Sequence, residues 1–199
     1  MTTAEKLTAI AENQEKVYEA GRASEYDRFW DAYQTNGAAA NYAYVFAGCG
    51  WNSDTYHPKY PLDTGVITNA AAMYLWSAVS KIGCINLENA TSFSSVFGGC
   101  QLLTTIEGIK FPPADMPNGM FELCSKLENI VVQNTIAGNV NFKDCPLTRA
   151  SIESVLGALS DTATGKVLTL KKSAVEAAFS DAEWAAQKAA KPHWDIRLQ

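Results

Sequence analysis

The chain has 199 residues, of which 47% are hydrophobic and 19% are charged. Its 21 acidic and 16 basic residues give a formal net charge of -5 and form no block of like charge. This composition predicts a folded, soluble protein and argues against a surface for nucleic acid or for an anionic membrane. The sequence shows neither a signal peptide nor an apolar stretch long enough to span a bilayer, so we expect no membrane insertion.

The segment 1–36 is predicted to form two helices, the first of which begins with a capping box at Thr2 and Glu5. The narrow stripe of this first helix comprises Leu7, Ile10, Gln14 and Val17. Its spacing suits a coiled-coil or docking contact that would join copies of the chain, and packing on its own domain is the alternative. The second helix has a wide aromatic stripe, which is expected to cover the start of the next domain.

An aromatic-rich stretch follows between positions 42 and 60. It contains Tyr42, Tyr44, Trp51, Tyr56, His57 and Tyr60. Exposed aromatic side chains stack on sugars or on partner side chains, so this stretch is the candidate partner-binding region. The alternative is that these side chains pack the N-terminal helices onto the first repeat unit.

A repeat occupies the middle of the chain. The segment FGGCQLLTTI at 97–106 is matched without gaps by FELCSKLENI at 121–130 and by MYLWSAVSKI at 73–82. Shorter matches begin at Phe46 and Phe142, which gives five units in all. Their spacing is typical of leucine-rich repeats, in which each coil buries its apolar side against its neighbours. We therefore predict an α/β leucine-rich-repeat solenoid of about five coils, each with a short helical return and a strand.

The repeat also indicates what its cysteines do. Cys100 and Cys124 occupy the same position, and the alignment places Trp76 there in the preceding unit, which suits packing and not metal binding or catalysis. We therefore predict that these cysteines fill space in the core. An adventitious disulfide between Cys100 and Cys124, or between Cys124 and Cys145, is the alternative in an oxidising medium.

After Phe142 the pattern changes to that of a compact α/β cap. Ile152, Val155, Leu156 and Leu159 form a helical stripe, KVLTL at 166–170 predicts a strand, and capping boxes at Ser173 and Ser180 predict two further helices. A last strand is expected around Trp194, Ile196 and Leu198. The predicted domains are N-terminal helices over 1–36, a solenoid over 37–147 and a C-terminal cap over 148–199.

The unit Phe-x-x-Cys-x-x-Leu-x-x-Ile resembles the BspA-like leucine-rich-repeat family of bacterial surface proteins, and the resemblance extends from position 46 to about position 147. The flanking segments EYDRFWDAYQTNG and SIESVLGALSDTATGKVLTLKKSAVEAAF are similar to repeat proteins encoded by phages and prophages of gut Firmicutes. That resemblance implies a virion component that assembles in the bacterial cytoplasm and contacts a host cell. It supplies no site residue, because the shared positions are core positions.

The sequence contains no motif of a known catalytic site, and its candidate carboxylates are scattered over different loops: Asp54, Asp63, Glu107, Asp115 and Glu122. We predict no enzymatic activity, no cofactor and no metal site. The expected function is that of a phage virion protein, a tail, fibre or capsid-surface appendage for host adhesion or receptor binding. The alternative is a bacterial cell-surface adhesin. The expected partners are other virion proteins, a host-surface protein or glycan, and further copies of the chain, with a trimer as one option.

Overall fold

The computed structural model describes residues 67–117 and 119–199. The predictions for the N-terminal helices at 1–36 and for the repeat unit at Phe46 lie outside the described residues. The elements in chain order are β1 (Lys81–Asn86), β2 (Thr105–Lys110), β3 (Asn129–Val132), β4 (Val140–Phe142), α1 (Arg149–Ala158), β5 (Lys166–Leu170), α2 (Lys172–Ala178), α3 (Asp181–Ala189) and β6 (Trp194–Leu198). No helix in the described part of the chain is long and apolar enough to cross a membrane.

Strands β1, β2 and β3 form one parallel sheet in that order. Ile82 pairs with Ile106, and Ile106 pairs with Ile130, so each isoleucine lies beside its counterpart in the next repeat unit. All three isoleucines are buried, with no more than 1% of their surface exposed. The period in the sequence is therefore the register of this sheet, and the strands predicted in these three units are confirmed.

Ahead of each strand the chain makes an irregular turn, at 71–76, 94–99 and 119–123, where helical returns were predicted. Four aromatic side chains from these turns and from β4 stack into one buried column: Tyr74, Phe97, Phe121 and Phe142. Successive ring centroids are 5.7, 5.3 and 4.7 Å apart. These distances are favourable for aromatic pairs, so the column forms the centre of the core.

The column shows that the first described unit is displaced by one position from its sequence alignment. Tyr74 stacks on Phe97, whereas the alignment placed Met73 opposite Phe97. Both Met73 and Tyr74 are buried, at 0% and 3% exposure, so either one satisfies the apolar pattern. The sequence pattern therefore did not distinguish the two registers.

This displacement changes which residue lies at the cysteine position. Trp76 and Gly99 occupy matching places in their turns, with φ angles of 56° and 73°. The residue that follows the first turn is Ser77, the residue that follows the second is Cys100, and both are buried. The prediction that Trp76 replaces a cysteine is wrong, because Ser77 takes that place.

Strands β4, β5 and β6 form a second parallel sheet. Asn141 pairs with Thr169, and Thr169 pairs with Arg197, so these three residues lie side by side across the strands. Phe142 and Leu168 are among the buried residues that alternate with them along the strands. The second sheet thus has one apolar face in the core and one polar face.

The prediction of a leucine-rich-repeat solenoid of about five coils is wrong. The described residues form two separate three-stranded parallel sheets and three helices. Phe142 ends β4 in the second sheet, and the unit that starts there supplies no strand to the first sheet. Helix α1 (Arg149–Ala158) follows where the next strand of the stack was expected.

Side chains of α1 explain why the first sheet stops at β3. The hydroxyl of Ser151 accepts a hydrogen bond from the Ile130 N–H at 3.0 Å and donates one to the Glu128 carbonyl at 2.9 Å. The hydroxyl of Ser154 accepts from the Val132 N–H at 2.9 Å. A buried strand edge needs such partners, so these hydroxyls replace a fourth strand.

The elements predicted after Phe142 are largely confirmed, although they do not end a solenoid. Strand β5 coincides with KVLTL, β6 begins at Trp194, and α3 has the capping box of Ser180 with Glu183. The capping box predicted at Ser173 is wrong, because α2 begins at Lys172 and Ser173 lies inside it. The domain boundaries stay predictions.

Candidate functional site

The site residues predicted from the sequence lie outside the described residues. They are the aromatic group Tyr42, Tyr44, Trp51, Tyr56, His57 and Tyr60, and the helical stripe Leu7, Ile10, Gln14 and Val17. Partner binding by the first group and oligomerisation by the second stay predictions. The described residues present other features that the sequence alone does not mark as sites.

Three cysteines form a ladder beneath the aromatic column. Cys100, Cys124 and Cys145 are buried, with at most 1% of their surface exposed, and none of them forms a disulfide. The Sγ atom of Cys100 donates to the carbonyl of Tyr74 at 3.0 Å, and that of Cys124 donates to the carbonyl of Phe97 at 3.1 Å. The prediction that these cysteines fill space in the core is confirmed for all three.

Burial also controls the chemistry of these thiols. Loss of solvation raises the pKa of Cys100 to about 12, against a smaller lowering from a backbone hydrogen bond at Ser77. Burial likewise raises the pKa of Cys124 and of Cys145. Since the thiolate is the nucleophile and the metal ligand, these protonated thiols suit packing.

Of the carboxylates considered for catalysis, Asp54 and Asp63 lie outside the described residues, and Glu107 and Asp115 have structural partners. Glu107 forms an ion pair with Lys81 across β1 and β2. Asp115 accepts from the Asn139 N–H at 2.8 Å and from the Lys166 ammonium at 2.9 Å, and these contacts lower the pKa of its carboxyl group. No group of three or more His, Cys, Asp or Glu residues suited to a metal ion occurs within 67–117 or 119–199.

The first candidate binding surface comprises Trp76 and Leu123, which occupy matching positions in two turns on either side of the Gly99 turn, and it is hereafter the Trp76 ridge. Trp76 is 51% exposed and Leu123 is 45% exposed, although both belong to turns that otherwise bury apolar residues. The indole lies against Gly99, where an added Cβ would collide with the Cε3 and Cδ2 atoms of the ring. The absence of a side chain at Gly99 therefore allows the indole ring to pack directly against the backbone of the next turn.

Backbone conformation distinguishes the Trp76 ridge from ordinary surface. Trp76 and Leu123 have φ angles of 56° and 59°, in the left-handed region that bulky residues rarely adopt. Each such residue costs roughly 1–2 kcal/mol relative to glycine, which Gly99 supplies at the matching place. Ala72 and Ser95 adopt the same conformation in these turns, so what marks Trp76 and Leu123 is the exposure of apolar side chains at strained positions, which points to a function.

The second candidate surface is a groove on the polar face of the second sheet, hereafter the polar groove. It has a volume of about 370 Å³ and includes Asn141, Lys143, Thr169 and Arg197 in its lining. Thr169 is 7% exposed, so its position at the floor is nearly closed to solvent. The groove thus has the buried Thr169 hydroxyl at its floor and the exposed cations Lys143 and Arg197 in its lining.

Comparison with known proteins adds no family. No protein-family model, no curated protein and no solved structure matches the chain.

The signals for both surfaces were present in the sequence but were not decisive. Trp76 was assigned to a buried position because of the displacement of its turn by one position. Asn141, Thr169 and Arg197 alternate with apolar residues in their strands, which indicates one polar face. Only the pairing of β4 with β5 and of β5 with β6 brings the three together.

Proposed function

We propose that the chain is a non-enzymatic recognition protein that binds a protein or glycan on a cell surface through the Trp76 ridge. The expected setting is the outside of a phage particle, in contact with its bacterial host. The observation that carries the proposal is the exposed indole of Trp76, which is held flat against Gly99 by a strained turn.

The geometry of the indole suits recognition. One ring face lies on Gly99, and 51% of the surface of Trp76 remains exposed. A ring that is already fixed loses little conformational entropy on binding, and tryptophan is enriched among the residues that dominate binding energy. Leu123, 45% exposed and with the same left-handed backbone, adds a second apolar side chain to the surface.

The chemistry of the other groups is consistent with a passive role. The thiols of Cys100, Cys124 and Cys145 are buried and protonated, and Glu107 and Asp115 are engaged by Lys81 and Lys166. Enzymatic hydrolysis of a glycan needs two carboxylates that face one cleft. Among the described residues, the contacts of Glu107 and Asp115 favour a binding function over a hydrolytic one.

A phage setting agrees with this mode of binding. A single apolar ridge gives modest affinity, and display of many copies on one particle raises the overall avidity by orders of magnitude. The resemblance of the flanking segments to phage-encoded repeat proteins supports this setting. A cell-surface adhesin of a bacterium would use the same ridge from a different location.

Binding is tested with fluorescently labelled protein and intact cells of candidate host bacteria. Trp76→Asn removes the indole and keeps a residue that tolerates the left-handed conformation. We expect this variant to remain folded and to lose at least about tenfold in binding, which corresponds to ~1.4 kcal/mol. Val131→Asn is the matched control, because Val131 is 50% exposed but lies on β3 away from the turns.

Two results would contradict the proposal. Equal binding by Trp76→Asn and Val131→Asn would show that the Trp76 ridge is not the contact surface. Turnover of a cell-wall polysaccharide by the pure protein would replace recognition with catalysis. Mass spectrometry of purified phage particles and of bacterial cell-wall fractions then decides between the virion and the adhesin.

A further inference from the structure

We infer that the polar groove binds a sugar carboxylate on the surface that the chain recognises. The inference rests on the proposed function for the class of partner, and it concerns a site separate from Trp76. Its basis is the arrangement of hydrogen-bond donors, the charge balance and the exposed face of the second sheet.

The amide groups in the groove are oriented by the backbone. The Oδ1 atom of Asn139 accepts from the Val167 N–H at 2.7 Å, and the Oδ1 atom of Asn141 accepts from the Lys143 N–H at 3.0 Å. With the amide oxygens engaged in this way, the Nδ2 groups are the parts of these side chains left to meet a ligand. The groove is therefore richer in donors than in acceptors.

The charged side chains of the groove also favour a ligand that accepts hydrogen bonds and carries negative charge. Lys143 has no acidic partner in the described part of the chain. Arg197 contacts the Oδ2 atom of Asp195 through Nε at 2.7 Å and through Nη2 at 2.5 Å, which fixes the guanidinium group and leaves its Nη1–Nη2 end for a ligand. The groove therefore carries two cations, of which Arg197 is paired with Asp195, and an anionic ligand complements the unpaired charge of Lys143. A planar carboxylate fits the fork of an arginine with two parallel hydrogen bonds.

The size and position of the groove agree with a small ligand. Its volume of about 370 Å³ lies at the lower end of the ~300–1,000 Å³ that is usual for small-molecule sites. Parallel sheets usually have both faces covered by other elements. The face that carries Asn141 and Arg197 instead lines this groove. The hydroxyl of Thr169 on the floor can serve a sugar hydroxyl or the carboxylate itself.

The test is a calorimetric titration of the full-length protein with sodium D-glucuronate and with neutral D-glucose. We expect glucuronate to bind more tightly than glucose, with an affinity that falls as salt is added. Lys143→Gln should weaken glucuronate binding by at least about tenfold, and Lys143→Arg should retain most of it. Lys126→Gln is the matched control, because Lys126 is an exposed lysine outside the groove.

The outcomes separate this inference from the proposed function. Equal affinities for glucuronate and glucose, or equal losses in Lys143→Gln and Lys126→Gln, would overturn the inference even if cells still bind through Trp76. Glucuronate binding that is lost in Lys143→Gln and kept in Trp76→Asn supports it. Normal binding of cells by Trp76→Asn would count against the proposed function alone. It would leave the evidence for glucuronate binding in the polar groove intact.

Discussion

The Sγ atom of Cys124 lies 3.1 Å from the carbonyl oxygen of Phe97, to which it donates a hydrogen bond. Cys100 makes the same contact with Tyr74 at 3.0 Å, and Cys145 makes a longer one with Phe121 at 3.8 Å. Each cysteine therefore ties its turn to the aromatic residue of the preceding turn. The thiols are structural parts of the column and not spare reactive groups.

The reactivity of the thiols tests this view. With a pKa raised to about 12 at Cys100, and raised also at Cys124, almost no thiolate forms at mildly alkaline pH in the folded protein. We expect iodoacetamide to label the exposed Cys84 in the native state and to label the buried cysteines only after unfolding in guanidinium chloride. Peptide mapping by mass spectrometry measures this. Native-state labelling of Cys124 at the rate of Cys84 would contradict the buried ladder.

Gly99→Ala tests the floor under Trp76. The new methyl group would collide with the indole and would also occupy a left-handed position. We therefore expect a loss of about 2–4 kcal/mol in the free energy of unfolding, together with a shift in tryptophan fluorescence.

Gly165→Ala is the control for backbone strain. Gly165 has a similar φ of 67°, but nothing lies within 4 Å of an added Cβ. We therefore expect Gly165→Ala to lower the free energy of unfolding by only about 1–2 kcal/mol. Urea unfolding gives both values, and equal losses would mean that the indole does not rest on Gly99.

Ser151→Ala tests how the first sheet ends. This change removes the acceptor of the buried Ile130 N–H and the donor to the Glu128 carbonyl, so we expect a loss of about 1–3 kcal/mol. Ser154→Ala is the comparison, because its partner, the Val132 N–H, is only half-buried and can reach water. A loss in Ser151→Ala no greater than that in Ser154→Ala would show that the hydroxyl does not complete the sheet edge.

Glu183 predicts a dependence of stability on pH. The Ser180 backbone N–H and hydroxyl, and then Arg149, lower the pKa of Glu183 from 4.5 to about 2. The carboxylate therefore stabilises the fold above pH 4.5, and this stabilisation is lost as the pH falls toward 2. Thermal unfolding of the wild type and of Glu183→Gln should differ near neutral pH and converge in acid.

The control for this experiment is Glu176→Gln. Glu176 lies 3.6 Å from Lys172 in an exposed pair on α2, and such pairs contribute little. We expect it to follow the wild type throughout the titration. A constant difference between wild type and Glu183→Gln at all pH values would contradict the assignment.

The sequence predicted the first sheet well because its period is set by buried side chains. Ile82, Ile106 and Ile130 occupy one register position, and a strand that slipped by one position would turn them to solvent. The turns lack this constraint. Met73 and Tyr74 are both buried, so the pattern allowed a displacement that moved Trp76 from the surface to the core.

The arrangement after β3 could not be predicted from periodicity alone. Ile152, Val155, Leu156 and Leu159 were identified as a buried helical stripe, and all four are buried. The stripe did not indicate that Ser151 on the same helix would complete the hydrogen bonds of β3. That pairing depends on position in space, and so does the assembly of the polar groove from three strands.

If the chain is displayed in many copies, as we propose, the closed edge of β3 has a consequence. An open strand edge on a crowded particle invites edge-to-edge pairing between neighbours and, from there, aggregation. With the Ile130 and Val132 N–H groups already bonded to Ser151 and Ser154, that edge has no free donors to offer at these positions. High local concentration can then increase avidity without fusing neighbouring copies at this end of the sheet.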